Sequence, residues 1–391
     1  MVKDKILTPM VFVGTFFLSL FLTSEAYTGI VIGCGVPLET VWGQSFKRGM
    51  ELGVEEINST GGILGEKIEL IFDDTQGKPE LAVKNVNKFI SKDRVNIVYT
   101  FGSPETLAAL QISKERKTPH VTTQAKICRI TTTGYSNVLR FIELDEIKYN
   151  SLLAYFKRTR TPKKIAIFTW DREFEKQLSE YIIGQIKIMK IDPAPLPHAK
   201  IGILDTFALV SALKKIQADA VVMVSPDLTG SEKFFNTMVE QKVDIPILTA
   251  GFVASGLGEA DTVLFKMFRQ YGGSFPSTYV ETDFDRDANK RALKFYEKYR
   301  KKFERIPDSE SARAYDSIYF VAQVIKNAGK NFEKFSEEAR KPGWFEGVTG
   351  TIGVLENGDI VKKASIIQIW KGIERKLVFE EGPKPKPHTA E

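Results

Sequence analysis

The chain has 391 residues, 55 Lys plus Arg against 49 Asp plus Glu, a net charge of +6, two Cys and three His. At roughly 150 residues per domain this predicts two or three domains with real cores, which excludes a disordered chain and a disulfide-stapled miniprotein. Lys and Arg are interleaved with acids along the chain instead of gathered into basic stripes, so nucleic acid is not an expected partner.

Residues 1–26 read as export information. Lys3 and Lys5 make a basic start, residues 6–22 form an apolar run broken by Pro9 and Gly14, and Ser24 and Ala26 put small residues where a signal peptidase reads. Cleavage after Ala26 is expected, and it leaves the net charge at +6. The alternative is an uncleaved anchor, because the run stands at the lower edge of a membrane span. Val31-Ile32-Gly33-Cys34 resembles a lipobox, but polar residues separate it from the apolar run and residues 30–34 make a better first strand. Cys34 and Cys128 are readable as one disulfide of an oxidising compartment or as two buried thiols, the second being favoured.

From Tyr27 onward short β-rich runs alternate with amphipathic helices, the pattern of a parallel sheet with crossover helices. Residues 30–34 are the first strand. Trp42, Phe46, Met50, Gly53, Val54 and Ile57 then recur at helical spacing, and Gly61-Gly62 stops that helix. A strand over 68–72, a helix from Pro79, a strand over 95–101, a helix over 105–117 and a strand over 119–122 complete one doubly wound lobe. The grammar restarts near Tyr149: a helix to Thr159, strand 165–170, helix 173–189, strand 218–224, helix 231–241 and strand 245–248. Helices over 287–303 and 311–328 follow, then strands within 347–369 around a turn at Asn357-Gly358. Residues 383–391, with three Pro and no core former, read as a disordered tail.

Motifs for chemistry are tested and fail. Gly33-Cys34-Gly35 lacks the third glycine of a dinucleotide fingerprint, and Pro37 opens a loop where a helix should begin. Gly61-Gly62-Ile63-Leu64-Gly65-Glu66-Lys67 has the wrong spacing for a phosphate loop. Asp283-Phe284-Asp285-Arg286-Asp287 begins like a calcium loop, but Ala288 and Lys294 stand where Gly and Glu are needed, so a loop and a helix N-cap are expected instead. His120, His198 and His388 are too dispersed for a metal site, and no Gly-x-Ser-x-Gly elbow occurs. No catalytic residue, metal or cofactor is assigned. Two exported α/β lobes without catalytic chemistry suit the binding of a small molecule beyond the carboxyl ends of the strands.

Several motifs then carry a family resemblance: Val36-Pro37-Leu38 before Trp42-Gly43, Gly61-Gly62-Ile63-Leu64-Gly65, Ile71-Phe72-Asp73-Asp74, Ser103-Pro104-Glu105-Thr106, Ala314-Tyr315-Asp316, and Phe345-Glu346-Gly347-Val348-Thr349-Gly350 with Asn357-Gly358-Asp359. In this order and spacing the chain resembles the Leu/Ile/Val-binding proteins, type I periplasmic solute receptors of ABC importers. The resemblance implies two doubly wound lobes joined by three crossovers, the first over 27–146 plus 272–330 and the second over 147–271 plus 331–381. It also implies a periplasmic location, transport as the role, and an inner-membrane permease and ATPase as partners.

In amino-acid-binding members a serine hydroxyl and main-chain groups of the first lobe hold the ligand carboxylate, an acid of the second lobe holds the ammonium, and aromatics cover the rest. Matched by motif, Ser103 is that serine, with Thr106 beside it, Ala125 and Ile127 are the main-chain positions, and Trp42 is the first-loop aromatic. Ser103 also reads as a helix cap and Trp42 as a core residue. The second lobe departs from the pattern. Phe174 stands where a tyrosine is common, and the ammonium-binding acid aligns on Gly251, with Asp227 readable either as its substitute or as a turn residue after Ser225-Pro226. Lys126 and Arg129 lie in a loop that usually carries small residues; they read either as exposed charges or as groups that favour an anionic ligand. A buried ammonium without a counter-charge is costly. The expected ligand is therefore a carboxylate with an apolar or aromatic body and no α-ammonium; a true branched-chain amino-acid binder and a regulatory ligand sensor of the same fold are the alternatives.

Overall fold

The computed structural model describes residues 29–200, 204–224, 228–250, 263–341 and 343–381. The chain runs β1 (Ile30–Val36), α1 (Val41–Ser59), β2 (Ile68–Asp74), α2 (Pro79–Ser91), β3 (Ile97–Thr100), α3 (Ser103–Arg116), β4 (His120–Thr122) and β5 (Val138–Arg140). It continues through α4 (Asp145–Arg160), β6 (Lys164–Thr169), α5 (Glu173–Ile188), β7 (Asp192–Pro195), α6 (Thr206–Ile216), β8 (Ala220–Val224), α7 (Leu228–Glu240), β9 (Ile247–Ala250), α8 (Val263–Tyr271) and β10 (Thr278–Thr282). It closes with α9 (Lys290–Phe303), α10 (Ser309–Asn327), α11 (Phe335–Ala339), β11 (Phe345–Gly347), β12 (Gly350–Val354), β13 (Ile360–Lys362), β14 (Ser365–Lys371) and β15 (Glu374–Glu380).

Strand β1 is buried along its whole length, which requires helices on both faces of its sheet. That sheet is parallel, in the order β2-β1-β3-β4-β5. One face packs on α1 and α10 through Phe46, Met50, Ile318 and Val321, the other on α2 through Ala82, Val86 and Phe89. Helices α1 and α10 meet closely because α1 presents glycines: a Cβ at Gly49 would lie 2.2 Å from the Ser311 carbonyl oxygen. The second sheet has the order β15-β14-β10-β9-β8-β6-β7, with β14 alone running antiparallel to its neighbours β10 and β15. Its faces are covered by α6, α7 and α8 through Leu213, Phe234 and Phe268, and by α4 and α5 through Phe156 and Ile182. A small antiparallel sheet, β11-β12-β13, packs its Ile352 and Ile360 into the first-lobe core.

Two crossovers lie elsewhere than the sequence reading put them. Strand β10 pairs with β9 and β14, so residues 278–282 belong to the second sheet although 272–330 was assigned to the first lobe. This strand was missed because it buries Thr278, Glu281 and Thr282, polar residues that do not read as core. Conversely Phe335, Ala339, Ile352 and Ile360 sit in the first-lobe core, so residues 335–362 leave the second lobe to which 331–381 was assigned. The chain therefore passes between sheets after β5, after β10 and after β13. The helix expected from Asp287 begins at Lys290, capped by Asn289, whose side chain accepts from the N–H groups of Arg291 and Ala292.

Cys34 and Cys128 are unpaired thiols, Cys34 buried in β1 and Cys128 exposed, so the expectation of two buried thiols fails for Cys128. Among the described residues no helix is long and apolar enough to cross a membrane. The export segment 1–26, the tail, Asp227 and Gly251 lie outside the described residues.

Candidate ligand-binding site

Ser103 is the first residue of α3, at the carboxyl end of β3, and the N-cap is Gly102. The hydroxyl therefore does not cap its own helix; the carboxylate of Glu105 accepts from the Gly102 N–H at 3.0 Å instead. The Ser103 Oγ reaches across to the loop after β4, accepting from the N–H of Lys126 at 3.0 Å and of Ile127 at 3.3 Å. A hydroxyl has two acceptor lone pairs and one proton. Both acceptor positions are filled, and among the described residues no acceptor takes the proton, so Ser103 is left as a donor.

The residues matched beside it hold the loop. Thr106 is fully buried, its Oγ1 2.8 Å from Thr100 Oγ1 and 3.4 Å from Thr122 Oγ1. Thr122 Oγ1 in turn accepts from the Ala125 N–H at 3.3 Å. The Ala125 and Ile127 N–H groups, expected to meet a ligand, are thus bonded to Thr122 and Ser103. Lys126 Nζ lies 2.7 Å from Asp145 Oδ1 at the start of α4, so its charge is matched inside the protein instead of offered to an anion. Arg129 is exposed. Trp42, second residue of α1, is half-buried against the first-lobe core, and the turn before it requires Gly43, where a Cβ would lie 2.1 Å from the Pro37 carbonyl oxygen. Phe174, at the start of α5, is 43% exposed at the carboxyl end of β6.

Two buried arginines that the sequence reading did not single out shape this loop. Arg140 on β5 donates from Nη1 to the carbonyl oxygens of Lys126 (3.1 Å) and Ile127 (2.9 Å), while its Nε meets Asp359 Oδ1 at 2.8 Å. Arg313 on α10 donates from Nε to the Thr123 carbonyl (3.2 Å) and from Nη2 to Gln124 Oε1 (3.0 Å). Both lie in otherwise ordinary helix and strand text, and a buried position is not readable from one Arg. Several resemblance motifs are architectural as well. Asp316 accepts from the N–H groups of Val348 and Thr349, and a Cβ at Gly347 would lie 2.4 Å from its carboxylate.

The crossovers carry a buried cluster of charge. Asp283, just past β10, is 2.6 Å from Lys148 of α4 and 2.7 Å from Lys362 at the end of β13, and it also contacts Arg313. Burial alone would raise its pKa, but Lys148, Lys362 and Arg313 outweigh burial and hold it well below the usual carboxylate range. Glu281, fully buried, has Lys148 at 3.8 Å and, among the described residues, no hydrogen-bond donor; burial pushes it up to about 7 against the pull of Lys148. Glu143 accepts from the Lys362 N–H at 2.9 Å and is likewise raised by burial. Glu143, Glu281 and Asp283 bring carboxylate oxygens within 4.8 Å of one another, the spacing of a metal site, but Lys148 and Lys362 already supply cations there. Asp285 is paired with Arg375 at 2.6 Å and Asp287 contacts the same guanidinium, which accounts for the two remaining acids of the calcium-like stretch.

Two doubly wound lobes joined by three crossovers, with loops at the strands' carboxyl ends, define the class of type I binding proteins. The chain belongs to the periplasmic binding protein family, whose profile matches residues 35–372. It is 23% identical over 360 residues to the Leu/Ile/Val-binding protein homolog 1 of Brucella abortus (strain 2308), which covers 91% of this chain and 94% of that one. Solved structures that share the fold include two with a bound ligand. The branched-chain amino-acid transporter substrate-binding protein LivJ from Streptococcus pneumoniae, in complex with isoleucine, aligns with a TM-score of 0.73 at 21% identity, over 91% of this chain and 100% of its own. A solute-binding protein of an ABC transporter from R. palustris, in complex with benzoate, aligns with a TM-score of 0.72 at 17% identity, over 92% and 98%.

Proposed function

We propose that this protein is the exported solute-binding subunit of an ABC importer, and that it takes a small carboxylate with an apolar or aromatic body between its lobes. The observation that carries the reading is Ser103. With both lone pairs committed to Lys126 and Ile127, its hydroxyl can only donate, at a helix N-terminus whose first-turn N–H groups and dipole favour negative charge. A carboxylate oxygen is the complementary partner. Isoleucine and benzoate, the ligands named for those two neighbours, have a carboxylate in common and differ in the ammonium. In this reading the second lobe closes over the ligand by hinge motion, and the closed form is presented to a membrane permease and its ATPase.

A thermal-shift screen with benzoate, benzamide, isoleucine and leucine tests the reading. Ligand at about 100 times its dissociation constant adds about 2.7 kcal/mol to the native state, a clear shift. Benzoate should shift the melting temperature and benzamide should not. Ser103→Ala should then weaken benzoate about 10- to 100-fold, the worth of a hydrogen bond to a charged group. A strong shift with isoleucine and leucine instead would favour the second reading, a branched-chain amino-acid binder with an acid such as Asp227 on the ammonium. No shift with any carboxylate would sink both.

A further inference from the structure

Asp283 stands where the three crossovers converge, and its cations come from both sides of the hinge. Lys148 lies on α4, just after the first crossover, and α4 packs on the second sheet through Leu152 and Phe156. Lys362 ends β13 at the third crossover, and Arg313 lies on α10 in the first lobe. The remaining acids of the cluster are Glu143 in the first crossover, Glu281 in β10, and Glu310, which contacts Arg313 one turn earlier on α10. All of these side chains are buried.

We infer that Arg313 is a positioning residue for the ligand-binding loop: anchored by Asp283, it fixes residues 123–127 to the hinge, so that crossover geometry and the orientation of Ser103 are set together. The path is short and continuous. Asp283 holds one arm of the guanidinium; the Nε and the other arm hold the Thr123 carbonyl and the Gln124 side chain. Two residues further on, the N–H groups of Lys126 and Ile127 fix the Ser103 hydroxyl. A guanidinium is a planar, rigid fork, so it cannot turn to follow a displaced Asp283 and keep both loop contacts. Any state of the hinge that moves Asp283 therefore changes the loop, and by linkage a ligand that prefers one loop geometry biases the hinge.

The inference rests on the reading of the crevice as the ligand site, but its test requires no ligand. Hydrogen exchange is followed in the full chain for the wild type, Asp283→Asn and Arg313→Lys. In Asp283→Asn the amides of Ala125, Lys126 and Ile127 should exchange at least tenfold faster, while those of β2 and β7, remote from the cluster, keep their wild-type rates. Arg313→Lys keeps a cation opposite Asp283 but cannot reach Thr123 and Gln124 at once, so it should loosen the loop equally while its urea midpoint stays nearer the wild type. Should Asp283→Asn not fold, Arg313→Lys alone decides. Wild-type protection of residues 125–127 in Arg313→Lys would mean that Arg313 only neutralises Asp283, and would overturn the inference. Titrating benzoate and isoleucine into the same proteins separates the two ideas: no binding by the wild type defeats the ligand reading alone, whatever the exchange rates show.

Discussion

His120 shows how a residue discounted as a metal ligand still governs behaviour. Its ring is fully buried in the first lobe, with Nε2 2.7 Å from Thr100 Oγ1 and Nδ1 2.8 Å from Ser113 Oγ, and burial lowers its pKa to about 3. The unfolded chain takes up this proton below the ordinary value of 6.5, the folded one only near 3, so between those values the unfolded state binds more protons. Stability on this account falls as pH falls through that window, by up to about 1.4 kcal/mol per pH unit. Gln at this position keeps a donor and an acceptor and does not titrate. Urea unfolding of His120→Gln between pH 6.5 and pH 4 should give a flatter loss of stability than the wild type. An unchanged slope would remove His120 from the acid response.

At the scale of elements, the packing of α1 on α10 is set by glycine. Gly49 lets the Ser311 carbonyl approach to within 2.2 Å of where a Cβ would be, and at Gly53 the same atom would meet Ile318 Cγ2 at 2.5 Å. A methyl group at Gly49 meets the Ser311 backbone and the rigid Ala314 Cβ, with no flexible side chain to push aside, so the helices must separate and thin the contacts of Met50 and Ile318 with the sheet. Gly49→Ala should cost about 1–3 kcal/mol of unfolding free energy, the usual range for overpacking, despite the higher helix propensity of Ala. A urea midpoint at or above the wild type would show that α10 yields easily. Helix α1 was legible in the text because Phe46, Met50, Val54 and Ile57 repeat with its period, whereas Gly49 and Gly53, one turn apart on it, do not say which helix they let approach. Strand β10 was illegible for a related reason: its period is hidden by Thr278, Glu281 and Thr282, whose burial depends on neighbours distant in sequence.

For the whole molecule, the alternation of strands and helices made two doubly wound lobes readable, because each lobe is built from local repeats. The joins were not, since a crossover is defined by which sheet a strand enters and not by its own composition. The same holds for the site. Ser103 could be matched by motif, but its role as a donor follows from two N–H groups more than twenty residues away, and the buried cations around Asp283 come from three separate segments.

That cluster also makes a prediction for the molecule as a unit. Lys148, Arg313 and Lys362 face Glu143, Glu281, Asp283 and Glu310, so the acids exceed the bases by one when all are ionised. Among the described residues no hydrogen-bond donor reaches Glu281, and burial holds its pKa at about 7 against an ordinary 4.5. Folded protein therefore binds more protons than unfolded between those values, and this group lowers stability as pH rises through them, by up to about 1.4 kcal/mol per unit. Asp283, shifted the other way, loses its contribution only as pH falls below 3.8, outside this window. His120 acts across part of the same range with opposite sign, so the wild type alone shows only the difference of the two. Comparing Glu281→Gln with the wild type cancels the His120 contribution. The variant, neutral at every pH, should match the wild type in chemical unfolding near pH 4 and exceed it at pH 8. Equal stability at both would mean that Glu281 is ionised throughout and that Lys148 serves it as fully as it serves Asp283.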